Sequence, residues 1–296
     1  MASVTIVFAL LAGLSNAVNV ITQHIASTAD PRRSSGWRLV EYLFRNPLWL
    51  FGWVALAAAF GFQALALHGG LVSVVQPLLV TELVFALVLR RFWIRQSIRL
   101  VTWGAAIMTC AGLAVFIVAG EPQGGHPTPT SDHWLGAALV CGVGAALLAA
   151  LAQRGSPGWR AGLYASAAAT IWALEATIIK ATTDSLAEFG VLGMFTRWPV
   201  YALVVGGVTG TFLQQVALHV GPLSISQPCI VLVDPMVSIV LSVWVFAEVF
   251  TENAVRLTFG IIAFAVMCVS ATVLARTTPA TIEGAGARAA PRGPSE

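Results

Sequence analysis

Residues 63 to 80, QALALHGGLVSVVQPLLV, return at residues 214 to 231 as QQVALHVGPLSISQPCIV, without a gap and with nine of eighteen positions identical. Shared composition alone would give about two identities over that length, so the chain carries one unit twice. The repeat constrains every possible fold, because whatever structure the first copy adopts must be available to the second. Both copies are apolar yet keep the same polar set: Gln63, His68, Ser73, Gln76 and Pro77 against Gln214, His219, Ser224, Gln227 and Pro228. Apolar segments that repeat their polar residues read as membrane spans with a task, a pattern found in secondary transporters.

With 57% hydrophobic and only 10% charged side chains in 296 residues, the chain has too little polar surface to cover a water-soluble core. Its mean hydropathy of +0.83 points to lipid as the solvent. The sequence pI of about 8.9 does not imply a nucleic-acid partner, because the basic residues lie between apolar segments rather than in one patch. Cys110, Cys141, Cys229 and Cys268 all fall within apolar runs and form no CxxC pair, which marks them as packing residues. The first apolar run, 3 to 26, lacks a basic leader and is long enough to cross a bilayer, so it reads as a helix of the mature protein.

Span-sized apolar windows occur at 3–26, 47–67, 70–89, 98–119, 133–152, 159–181, 194–218, 221–247 and 256–276. The expected fold is therefore an all-α polytopic membrane bundle of nine helices. Its parts are a first four-helix repeat (1–119), an outer loop with a linker helix (120–158), a second repeat (159–276) and a disordered cytoplasmic tail (277–296). A single linker helix inverts the second repeat relative to the first. Charge agrees with this count, since Arg32, Arg33, Arg38, Arg45, Arg90, Arg91, Arg95, Arg99, Arg154, Arg160, Arg276, Arg288 and Arg292 fall on one face. Lys180, Arg197 and Arg256 alone fall on the other. The positive-inside rule then puts the amino terminus outside and the carboxyl terminus in the cytoplasm, and the preference for Arg over Lys with abundant Ala, a compositional association, leads to the expectation of a bacterial inner (plasma) membrane.

Carboxylates in the middle of a span require a cavity, a partner or a proton. Glu82, Glu175 and Asp234 are the three candidates for proton or ion coupling. Asp234 shares one helix face with Gln227, two turns before it, and with Ser238, one turn after it. Pro228 and Pro235 each remove a backbone donor, so the eighth span is expected to kink or open there, with Pro77 making the same break in the third. Asn16, Asn19 and Gln23 form a polar stripe on the first span and, with Gln76 and Gln227, are the candidate substrate-binding residues. Interhelical hydrogen bonding is the structural alternative for the stripe and for Glu175. His68 and His219 read as helix-end caps, and Glu248 and Glu252 as outward boundary charges.

The sequence contains no HExxH, no phosphate-binding glycine loop and no nucleophile elbow, so nothing points to an enzyme, a metal centre or a cofactor. The segments FRNPLWLFGW (44–53), LALHGGLVSVVQPLLVTELVFALVLRR (65–91) and FLQQVALHVGPLSISQPCIVLVDPMVSIVLSVWVFAE (212–248) resemble the drug/metabolite transporter superfamily. WGAAIMTCAGL and FGIIAFAVMCV close the two halves in the same style, and the nine-helix order is that of the EamA-like and NIPA-like branch. The resemblance implies inverted helix bundles around a central path. Arg90 and Arg91 stand where members often place a Glu, which favours the wider superfamily over magnesium transport.

The expected function is a secondary carrier that moves a small metabolite by alternating access, with Asp234 or Glu175 taking a coupling proton. A transporter of magnesium or another divalent cation, and a non-transporting subunit or scaffold, are the competing classes. Expected partners are a small-molecule substrate and membrane lipid, with room for a homodimer or a membrane complex.

Overall fold

A computed structural model of the protein describes residues 2–28, 46–93, 95, 97–124 and 129–289. The described residues form ten helices and no strand: α1 (Ala2–Thr28), α2 (Pro47–Gly69), α3 (Val72–Leu79), α4 (Glu82–Phe92), α5 (Leu100–Gly120), α6 (Ser131–Leu151), α7 (Pro157–Met194), α8 (Trp198–Val220), α9 (Leu223–Phe246) and α10 (Ala254–Ala289). Counting α3 and α4 as one span of 72–92, nine are long and apolar enough to cross a membrane. This is the build of a multi-pass membrane protein, in which helices satisfy every backbone group internally.

Local sequence sets several boundaries. Asn46 caps α2 by accepting the Leu48 N–H at 2.9 Å, and Ser156 caps α7 by accepting the Trp159 N–H. In both, proline occupies the first helical position, where the missing donor costs nothing. At 38 residues, α7 would extend about 57 Å, well beyond a hydrocarbon core of about 30 Å. It is in fact broken at Gly190, whose φ of 68° only glycine adopts readily.

The bundle has two ends. Thr5, Gly70, Glu121, Asp184, Glu248, Val249 and Gly260 gather at the amino-terminal face, tied by contacts described below. Tyr164, Ile225 and Pro157 gather at the opposite face, where Gln153 donates to the Tyr164 hydroxyl at 3.2 Å and Arg160 donates to the Ala152 carbonyl at 3.0 Å. Among the described arginines, Arg90, Arg91, Arg95, Arg99, Arg154, Arg160 and Arg276 lie toward that second face. Arg32, Arg33, Arg38, Arg45 and Arg292 lie outside the described residues.

Helix pairing is uneven. α1 lies along α2, α7 along both α8 and α9, and α5 along α10. The last of these joins the closing helices of the two sequence copies. Small residues allow it: a methyl group built on Gly112 would sit 2.8 Å from the Ala263 carbonyl oxygen and 2.9 Å from the Met267 nitrogen. Thr109 and Ser270 face each other across the same seam at 3.2 Å. Gly70 and Gly221, which are repeat mates, play matching parts at opposite ends: Gly70 lies against Thr5 at the start of α1, Gly221 against Pro157 and Ala161 at the start of α7.

Four expectations change. The third span bends at Val80–Thr81, not at Pro77, because the Thr81 hydroxyl takes the Leu78 carbonyl at 2.6 Å and the local bonds shorten to three-residue turns. α9 is one uninterrupted helix that contains Pro228 and Pro235, so of the expected kink or opening the opening does not occur. The helix expected at 194–218 starts at Trp198, since Arg197 is extended and Pro199 suits a helix start. α10 continues to Ala289, so 277–289 is helical where disorder was expected; alanine is the strongest helix former, and the segment is rich in it.

The α5–α10 seam yields a prediction. Gly112→Val should lower the melting temperature of the detergent-purified protein by an amount equivalent to about 1–3 kcal/mol. Gly104→Val, whose added group meets nothing within 4 Å, should leave it nearly unchanged.

Candidate functional site

The polar stripe of α1 is wired along its own helix. Gln23 Nε2 donates to Asn19 Oδ1 at 2.7 Å, and Asn19 Nδ2 reaches Asn16 Oδ1 at 3.5 Å. Asn16 then leaves the helix and donates its Nδ2 to Glu82 Oε2. Asn19 is 7% exposed, so the stripe faces protein rather than lipid. The approach of α1 to the bend between α3 and α4 depends on Gly13, where a methyl group would come within 3.2 Å of Thr81 Oγ1 and 3.4 Å of the Glu82 nitrogen.

The bend makes Glu82 the first residue of α4. A carboxylate there meets the positive end of the helix dipole as well as the Asn16 amide. Asp234 lies at the middle of α9, half-buried, and accepts from Ser238 Oγ one turn later at 3.3 Å. Glu175, on α7, is 8% exposed and lies against α8, where the bare backbone of Gly207 leaves room for it. A methyl group on Gly207 would stand 3.1 Å from Glu175 Oε1.

These three carboxyl groups share one neighbourhood. Asp234 feels the charges of both Glu82 and Glu175. α4 and α7 therefore each bring an acid within electrostatic range of Asp234 on α9, which links residues of both sequence copies. None of the three forms an ion pair among the described residues. Nor do any three His, Cys, Asp or Glu side chains among the described residues form a group able to hold a metal ion.

The amides of the repeat are less uniform. Gln76 is 3% exposed in α3, and its Nε2 has no hydrogen-bond partner among the described residues; Ser73 Oγ, one turn earlier, is in the same state. Gln227, the mate of Gln76, is only half-buried in α9. The structure thus joins Asn16, Asn19 and Gln23 to Glu82, and puts Asp234 within electrostatic range of both Glu82 and Glu175. It shows no hydrogen bond from Gln76 or Gln227 to that group.

The sequence reading of the helix ends is revised. Glu248 is no boundary charge: it is 1% exposed and accepts the Val72 N–H at 2.9 Å and the Ser73 N–H at 3.0 Å, capping α3 from the far end of α9. Its companion is Lys180 of α7, whose Nζ stands 3.9 Å from Glu248 Oε1 and donates to the Gly70 carbonyl at 2.8 Å. His68 caps nothing and instead meets Asp184 at 3.1 Å. Lys180 is the sole lysine among fifteen arginines, placed directly after Ile178 and Ile179, and that isolation was the legible signal of a special site.

No family model matches the chain, and no solved structure matches it. It is 31% identical over 280 residues to "Uncharacterized protein Cgl0250/cg0304" of Corynebacterium glutamicum, an alignment that covers 92% of this chain and 95% of the other. Identity at that level over nearly both lengths shows common descent, and the chain belongs to the same family as that corynebacterial protein.

Proposed function

We propose that the chain is a secondary carrier that moves a small metabolite across the membrane by alternating access, with a proton as coupling ion. One observation carries this reading: Asp234 lies within electrostatic range of both Glu82 and Glu175, three acids from three helices and both sequence copies that form no ion pair among the described residues. Acids kept at that depth are costly and mark ion or proton routes. Asn16, Asn19, Gln23, Gln76 and Gln227 are the proposed substrate-facing amides. Among these, Gln76 has a donor still without an acceptor.

The matching contacts of Gly70 and Gly221 at opposite ends of the bundle support an inverted pair of repeats. The described arginines on the face opposite the amino terminus support a cytoplasmic placement of that face in a plasma membrane. The order of segments resembling the drug/metabolite transporter superfamily agrees with both. A divalent-cation carrier is less well supported, since magnesium wants near-octahedral oxygen ligands and the acids do not gather into such a group.

The test begins with a metabolite comparison of cells with and without the chain, which nominates the substrate. Uptake of that compound into vesicles across a pH gradient should then fall at least about tenfold in Asp234→Asn and in Glu175→Gln, a loss of about 1.4 kcal/mol or more. Undiminished gradient-driven flux in both variants contradicts the proposal. A second prediction concerns the Asn16–Glu82 bond. A double-mutant cycle with Asn16→Ala and Glu82→Gln, read by thermal unfolding in detergent, should return a coupling of about 1–3 kcal/mol.

A further inference from the structure

The two copies of the repeat have similar sequences but unequal environments. In the first copy Ser73 is fully buried and Gln76 nearly so. Their mates Ser224 and Gln227 are exposed and half-buried. The first copy of the motif is therefore covered at the amino-terminal end, while among the described residues the second copy is less covered at the opposite end. The closure has an identifiable cause. Lys180 Nζ binds the Gly70 carbonyl at 2.8 Å, stands 3.9 Å from Glu248 Oε1 and lies 4.9 Å from the centre of the Phe246 ring. Glu248 in turn holds the first two N–H groups of α3.

The pair therefore fastens α7 at Lys180 and the carboxyl end of α9, from the second copy, to the α2–α3 turn of the first. Ala247, just before Glu248, adopts a φ of +51°, an uncommon conformation for a residue with a side chain, and this turns the chain back. The next residue, Val249, pairs with Gln123 of the α5–α6 connection through N–H to carbonyl bonds of 2.8 and 3.1 Å. The opposite end has no equivalent pair built into its sequence. The repeat maps Glu248 onto Ser97, and the alignment that sets Asn19 against Glu175 maps Lys180 onto His24.

We infer that Lys180 and Glu248 form the gate that shuts the amino-terminal side of the carrier, so that outward opening requires parting the pair. This rests on the carrier reading above. A buried pair suits a latch: intact, its charges and the α3 amides satisfy one another, whereas loss of either member leaves the other uncompensated and favours the state in which it meets water.

The test uses the full chain in membranes with its four native cysteines replaced. A single cysteine is placed at Ser73 or at Ser224, and a membrane-impermeant thiol reagent is added to right-side-out or inside-out vesicles. With Lys180 and Glu248 intact, Ser73→Cys should be protected from outside and Ser224→Cys reactive from inside. Adding Glu248→Gln or Lys180→Met should raise labelling at 73 at least about tenfold and lower it at 224, whereas Lys180→Arg should keep both as they were. Size-exclusion chromatography in detergent checks that each variant is folded. Protection at 73 that survives both Glu248→Gln and Lys180→Met overturns the gate and leaves the carrier reading intact. Increased labelling at both positions also overturns it, since that is a loosened bundle. Opening at 73 with 224 unaffected would keep the pair as a plug and sink alternating access instead.

Discussion

Three carboxyl groups held in the middle of an apolar bundle, none matched by a cation among the described residues, are the feature that the nearby structure is arranged to tolerate. Glu82 has the Asn16 amide and the start of α4; Asp234 has the Ser238 hydroxyl; Glu175 has the open backbone of Gly207. Each device is local and partial. Taken singly, each could be explained as an ordinary hydrogen bond or a close helix contact. Their convergence from α4, α7 and α9 is harder to explain without a hydrated route, because mutual repulsion in a low dielectric grows with every added charge.

The second organising fact is a duplication used asymmetrically. Gly70 and Gly221 let the turn before the motif pack on the first helix of each copy, at opposite ends of the bundle. The motif itself then diverges in setting. Glu248 caps the start of α3, whereas the residue before α9 is Pro222, which has no side-chain acceptor to cap it. Sequence similarity accounts for the matching glycine turns, and among the described residues the first copy's motif is held at its start by Glu248.

Much of this was legible in the chain. The spans followed from length and hydropathy, because lipid leaves few alternatives to a helix. The acids followed from the rule that charge is rare at mid-span, and the Asn16, Asn19 and Gln23 face followed from helical spacing. Contacts between distant parts were less accessible. Nothing local says that Glu248 would turn inward, since its fate depends on a left-handed Ala247 and on α3 amides 176 and 175 residues away. The uninterrupted α9 shows a second limit: proline removes a donor, but neighbouring helices decide whether the helix opens. The bend at Thr81 came from a side-chain hydroxyl binding backbone, a choice sequence leaves open.

The proposed carrier mechanism requires Asp234 to face water within the bundle. It is tested most directly by the reactivity of a cysteine at that position with a small, permanently charged thiol reagent, in a background without Cys110, Cys141, Cys229 and Cys268. The comparison is Val240→Cys, six residues along the same helix, where Val240 is 63% exposed on the bundle exterior. If a hydrated route reaches Asp234, Asp234→Cys reacts quickly while Val240→Cys, surrounded by lipid, stays inert. If position 234 is as unreactive as position 240 in vesicles of either orientation, the acids are sealed in the bundle and the carrier account is wrong.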